Sequence, residues 1–254
     1  MDYLTVEEAI ERSGVRLVLT AGVPGPWGEA AKYILDYKKI DYAPVYQEGG
    51  GENAALKEWT GQTSAPVLVD DGLPPVSHWL DLLMTAERIA PEPALLPADT
   101  AQRTNALGLA ALIAGVDGFG WNRRLQMFAP LMAMDEPPPP IQRMMGKYGW
   151  SDEAHAGAGA KLADILGELD RVLAAQSALG SAFFVGDTVT AVDLYWASFS
   201  GMLKPLPPEQ NPMPDFLRST YEAVDASLAA AFTPALEAHR DRIYEQYITL
   251  PLDF

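Results

Sequence analysis

The sequence predicts a small α/β unit followed by a larger all-helical one. Three observations carry this. β-rich runs alternate with helix-compatible stretches only ahead of residue 90, Pro91, Pro93 and Pro97 break the chain between Ala90 and Asp99, and everything beyond is helical in pattern without a convincing strand. The units run over 1–92, with a short arm at 1–14, and over 99–254.

Thr5 and Glu8 stand at capping-box spacing, so a short helix is expected ahead of the first strand. Val15 to Thr20 is β-rich and is closed by the turn formers of Ala21 to Pro26. Trp27 to Lys39, with Ala30, Ile34 and Leu35 on one side, reads as a helix. Tyr42 to Gln47 is a second strand, Gly49 to Gly51 a loop, and Asn53 to Trp59 a short helix. Pro66 then opens the run Val67 to Val69, since proline cannot donate to a ladder and is tolerated at a strand's first residue. Leu73 to Val76 can pair only briefly, and Ser77 stands at an N-cap position before a helix from His78 to Ile89.

In the second unit one long helix is expected from Thr100 to Ala129, ended by Pro130. Pro137 to Pro140 read as a polyproline-like strut. Asp152 to Ala178 carries Leu162, Ile165, Leu166, Leu169, Val172 and Leu173 at helical spacing, a core-facing stripe. Further helices are expected at Ala191 to Leu203, at Phe216 to Ala230, and from Pro234, with Thr233 as N-cap and proline at the first helical position.

The net charge of −16 repels polyphosphate and anionic membrane surfaces, so neither nucleic acid nor membrane is an expected partner. With no cysteine there is no disulfide and no thiolate of the chain's own, and any thiol chemistry must use a thiol brought by a ligand. The acidic start lacks an apolar signal-type stretch, and the longest apolar run, Ala106 to Val116, falls short of the ~20 residues of a membrane helix. A cytoplasmic enzyme or binding protein is expected. His78, His155 and His239 have no metal-ligand spacing. Phosphate-loop, dinucleotide and Gly-x-Ser-x-Gly patterns are missing, so neither metal nor nucleotide is expected.

Two segments carry a family resemblance. Ser64-Ala65-Pro66-Val67-Leu68 looks like the segment around the cis-proline of a thioredoxin-like domain, and Phe184 to Leu194, with Thr190 and Asp193 at capping-box spacing, resembles the helical-domain capping segment of the glutathione transferases. From Val15 to about Tyr247 the chain resembles that family. The resemblance implies an α/β thioredoxin-like N-terminal domain plus an all-α C-terminal domain, a cis bond at Ala65–Pro66, glutathione as cosubstrate, a small hydrophobic second substrate and a homodimer.

By the same resemblance, Ala65 pairs its backbone with the cysteinyl part of glutathione, with Ser64 and Pro66 beside it. Ser77, with the helix amides behind it, holds the γ-glutamyl carboxylate. Val76 stands where the family has an acid before that serine, and a shift of one residue would set Ser77 at the acid's place and His78 at the serine's. Lys57 or Gln62 is the candidate for the glycine carboxylate. Gly25 occupies the place of the family's thiol-activating hydroxyl, which leaves Thr20, or the amides at the start of the Trp27 helix, to favour the thiolate. Pro24, Trp27, Phe119, Trp121, Arg123 and Met127 are expected to line an acceptor pocket between the domains. A glutathione-dependent reductase or ether-cleaving lyase on the same site, and a non-catalytic binding or scaffold protein of this fold, stay open beside the transferase reading.

Overall fold

The computed structural model describes residues 1–254. Thr5 caps the first helix as its spacing predicts. Its hydroxyl accepts from the Glu8 amide at 3.2 Å, Glu8 accepts from the Thr5 amide at 2.8 Å, and α1 (Val6–Ile10) follows. The chain continues through β1 (Arg16–Thr20), α2 (Pro26–Tyr37), β2 (Ala43–Gln47), α3 (Ala54–Thr60), β3 (Val67–Val69) and α4 (Trp79–Ile89). The sheet order is β2-β1-β3, with β2 parallel and β3 antiparallel to β1. Single-residue bridges extend both rims, Leu4 beside Val45 and Val76 beside Leu68, the latter being the brief pairing expected of residues 73–76. Leu4 donates to the Pro44 carbonyl and accepts from the Tyr46 amide, both at 2.9 Å, so the arm covers the open edge of β2.

Register decides what meets at one end of this sheet. Thr20 pairs with Gln47, and the β1–β3 register, continued beyond Val18–Val67, sets Ala65 opposite Thr20. Continued from Leu68–Val76 in the same way, it brings Ser77 and His78 beside Val67 and Pro66. The Ala65–Pro66 bond is cis, as are Glu92–Pro93 and Leu250–Pro251.

The remaining elements are all helices: α5 (Thr100–Ala114), α6 (Phe119–Met132), α7 (Pro139–Lys147), α8 (Asp152–Ala178), α9 (Ala191–Ser200), α10 (Asp215–Glu222), α11 (Ala226–Ala231) and α12 (Pro234–Tyr247). The single helix expected at 100–129 is therefore two. Asp117 adopts φ 59°, and a Cβ at Gly118 would lie 2.7 Å from the Leu112 carbonyl oxygen, so the chain folds back onto the end of α5 at a point where only glycine fits. Pro130 lies inside α6 near its end instead of terminating it. Pro137 to Pro140 do not form a strut: Pro138 is the N-cap of α7, and Pro139 and Pro140 fill its first turn, where a missing N–H costs no helical hydrogen bond. The expected helix at 216–230 divides after Glu222, and Asp225 starts the second piece by accepting from the Leu228 amide at 2.8 Å.

One apolar core of 47 buried residues runs from β1 and α2 through α9 to α12, so side-chain packing fixes the two parts against each other. Every residue of α9 is buried. Its start is held by Asp193, fully buried, which accepts from the Thr190 amide at 2.7 Å, the Thr190 hydroxyl at 2.8 Å and the Phe184 amide at 3.1 Å. His239 Nε2 stands 3.0 Å from the same carboxylate. No helix is long and apolar enough to cross a membrane.

Candidate functional site

At the sheet end where Thr20, Gln47 and Ala65 meet, several backbone groups have no protein partner. Neither the N–H nor the C=O of Ala65 takes part in any hydrogen bond within the chain. α4 begins at Trp79 with His78, not Ser77, as its N-cap, and His78 makes no side-chain capping bond. The N-cap expected at Ser77 therefore falls one residue later, at His78. Ser77 is half-buried and His78 exposed, so both are open to solvent at the N-terminus of α4, where the unpaired amides and the helix dipole favour an anion. The first turn of α2 is equivalent. Gly25 is its N-cap without a side chain, Pro26 has no N–H, and the amides of Trp27 and Gly28 have no acceptor within the chain.

The expected activating hydroxyl is already engaged. Thr20 Oγ1 donates to Gln47 Oε1 at 2.6 Å, so its proton is not free for a sulfur atom. Gln47 is only 3% exposed and also donates through Nε2 to the Thr63 carbonyl at 3.3 Å, which Asn53 Nδ2 reaches at 3.1 Å. Gln47 thus ties the ends of β1 and β2 to the segment that leads into Pro66. Its place at a strand terminus carries no sequence signal beyond polarity. Around Gly25 there is room: an added Cβ would meet nothing within 4 Å.

The helical part closes over this end. From α7, Lys147 donates to Thr63 Oγ1 at 3.0 Å and Ser64 Oγ at 3.4 Å, and Arg143 to the Gly50 carbonyl at 3.1 Å. Lys147, which the sequence does not point to, is a cation within reach of the exposed Ser64. No local pattern could single it out, because the proline run ahead of it reads as a strut. Tyr148, the C-cap of α7, packs its ring 5.8 Å from Trp27 and 4.9 Å from Trp121. Burial pushes its phenol up, and Arg124 beside it only partly offsets that.

The expected acceptor pocket needs correction. Phe119 is fully buried against Trp196, Arg123 is 2% exposed and Met127 7%, so these three belong to the core. Arg123 donates Nε to the Met202 carbonyl at 2.9 Å and Nη2 to those of Tyr221 and Ala223 at 3.1 and 2.8 Å, fastening α6 to the turn after α9 and to the end of α10. Burial pushes its guanidinium down to about 10. Helical periodicity could not show this, because adjacent positions of α6 face in different directions. Pro24 is buried too, its carbonyl accepting from the Tyr221 hydroxyl at 3.3 Å. Trp27 locks the two parts together: its indole N–H reaches the Ala114 carbonyl at 2.9 Å and its ring lies 4.8 Å from Phe199. Its indole N–H is thus engaged, and its backbone amide and the open part of its ring are left for a ligand. The open aromatic surface between the parts comes instead from Trp27, Trp121, Tyr148 and Phe128, all half-buried.

No protein-family model matches the sequence, and no curated protein matches it. Solved structures do. A glutathione transferase from Methylobacterium radiotolerans, in complex with glutathione sulfonate, is 19% identical over 91% of both chains with a TM-score of 0.63. A glutathione transferase family member from Pseudomonas fluorescens with two glutathione molecules bound is 15% identical over 95% of this chain and 94% of its own, at 0.64. A rice glutathione transferase in complex with glutathione is 18% identical over 94% and 93%, at 0.61. At such identities the likeness is one of architecture, and it agrees with the strand order, the helical second part and the chain-long coverage: the chain has the glutathione transferase fold, a thioredoxin-like domain followed by an all-helical one.

Proposed function

We propose that the chain binds glutathione along the sheet end formed by Thr20, Gln47 and Ala65 and adds its thiolate to an apolar electrophile held against Trp27, Trp121, Tyr148 and Phe128. The observation that carries this is the unpaired backbone of Ala65, which offers one donor and one acceptor beside β1 for strand addition by a peptide. Ser77, His78 and the first amides of α4 hold the γ-glutamyl carboxylate. Lys147, reaching Ser64 from α7, holds the carboxylate at the other end. The amides of Trp27 and Gly28, at the positive end of α2, stabilise the thiolate, and Thr20 joins them only by releasing Gln47. The thiolate then forms a carbon–sulfur bond, and the electron pair leaves on a departing group or is protonated.

Support for the ligand also comes from the structural neighbours with glutathione bound. Domain limits near residues 92 and 99, a homodimer and a cytoplasmic location belong to the same reading. Sedimentation of the purified chain decides the oligomer. Calorimetric titration with glutathione decides the ligand: saturable binding at or below millimolar concentration is expected, and no heat at that concentration sinks the proposal. A binding protein without catalysis is the second reading, favoured by the side-chain-free Gly25 and the engaged Thr20 hydroxyl. Binding without turnover of any electrophile is its signature.

A further inference from the structure

Six lysines and arginines are buried: Arg16, Lys32, Lys38, Arg123, Arg124 and Arg240. Arg16 meets Asp71, Lys32 meets Glu29, Lys38 meets Glu87 and Arg240 meets Asp241, while Arg123 is met by three backbone carbonyls. Arg124, 9% exposed, has neither. No carboxylate stands within 4.0 Å of it, and its Nε is buried with no acceptor. Burying an ionised group without a partner is costly, which is why such groups are normally paired.

The surroundings of Arg124 are aromatic. Its guanidinium lies 5.6 Å from the centre of the Phe128 ring and has the hydroxyls of Tyr148 and Tyr221 as hydrogen-bond partners, neutral phenols that do not balance its charge. Tyr148 in turn touches Trp27 and Trp121, and the Tyr221 hydroxyl bonds the Pro24 carbonyl in the loop after β1. The unpaired charge therefore sits in the wall of the cleft between the two parts, beside the aromatic surface that the second substrate would cover.

We propose that Arg124 receives the carboxylate of an aromatic acid bound in this cleft, so that the second substrate is an aromatic carboxylate rather than a neutral hydrocarbon-like electrophile. The planar guanidinium fork matches a carboxylate in two parallel hydrogen bonds, and the neighbouring rings supply stacking surface for an aryl group. The inference rests on the proposed function only in taking the interdomain cleft as the second substrate's place.

The test compares two probes of equal size, 2-naphthoate and 2-naphthalenemethanol, by quenching of tryptophan fluorescence in the full chain, with and without glutathione. Naphthoate is expected to bind roughly ten- to a hundredfold more tightly, the range of a charge-assisted hydrogen-bonded pair. The preference should vanish in Arg124→Met and persist in large part in Arg124→Lys. Equal binding of the two probes by the unmodified chain overturns the inference, and this comparison holds even if Arg124→Met fails to fold. A preference that survives Arg124→Met overturns it as well. So does a variant in which the ultraviolet absorbance of bound glutathione thiolate changes while the naphthoate preference does not, since Arg124 would then serve the sulfur. Loss of glutathione binding with the naphthoate preference intact would instead count against the proposed function alone.

Discussion

Lys147 in the last turn of α7 donates to Thr63 Oγ1 at 3.0 Å, across 84 residues of sequence, and so draws a helix of the second domain onto the segment that enters Pro66 of the first. Its other contact, Ser64 Oγ at 3.4 Å, is long enough for a ligand carboxylate to replace it. Lys147→Met is expected to weaken glutathione binding roughly tenfold, the worth of one charged hydrogen bond, with Lys147→Arg retaining most of the affinity. Calorimetry reads this directly, and an unchanged dissociation constant in Lys147→Met removes the residue from the site.

Thr20 serves the fold through Gln47. Replacing it with valine leaves the buried Gln47 Oε1 without its donor and is expected to cost about 1–3 kcal/mol of stability in urea unfolding. The thiolate absorbance of bound glutathione should be unchanged. A loss of that absorbance in Thr20→Val would return the activating role to the hydroxyl.

Gly25 leaves open the place where a hydroxyl would sit. A Cβ there meets nothing within 4 Å and the backbone is extended at φ −68°, so Gly25→Ser should fold normally. A hydroxyl at the start of α2 would add one hydrogen bond to a thiolate, of about 1 kcal/mol, which corresponds to a drop of up to about one unit in the bound thiol's pKa. Titration of the thiolate absorbance against pH checks this, and no drop would show that the sulfur lies elsewhere.

Asp193→Ala removes a fully buried acceptor from the Thr190 amide and hydroxyl and the Phe184 amide, and leaves His239 facing a void. The expected cost is about 3–5 kcal/mol, that of breaking a buried charged network, and thermal unfolding should show the loss whether or not glutathione is present.

Asp71 gives the pH dependence a sign. Its carboxyl is held below the ordinary value of 3.8, first by the Gly14 amide and then by Arg16, which lies 2.6 Å away. A depressed folded pKa means that the unfolded chain binds the proton more readily. The stabilisation is therefore complete above 3.8 and is lost as pH falls through the lower, folded value. Asp71→Asn should be less stable than the unmodified chain at pH 7 and converge with it in strong acid. Parallel stability curves down to the acid limit would contradict the assignment.

The sequence by itself determined whatever depends on neighbours a few residues apart. Thr5 with Glu8, Thr233 with Pro234, the stripe of α8 and the proline opening β3 are local physics, and they place most elements within a residue or two. Where a competing local reading existed, it misled: the prolines at 137–140 can extend a strut or start a helix, and the tight turn at Asp117–Gly118, where only glycine fits, divides α5 from α6. The candidate site divides in the same way. The cis bond at Ala65–Pro66 and a helix start within a residue of Ser77 were legible, because they need only strand, turn and cap signals.

Only the tertiary structure decided which side chains face that main chain. It set the Thr20 hydroxyl against Gln47, sank Phe119, Arg123 and Met127 into the core, brought Lys147 to Ser64 and left Arg124 buried without a counter-ion. The physical reason is that hydrogen bonds and ion pairs depend on distances of a few ångströms between residues far apart in the chain, and those distances are set by how the helices pack, not by any pattern along the sequence.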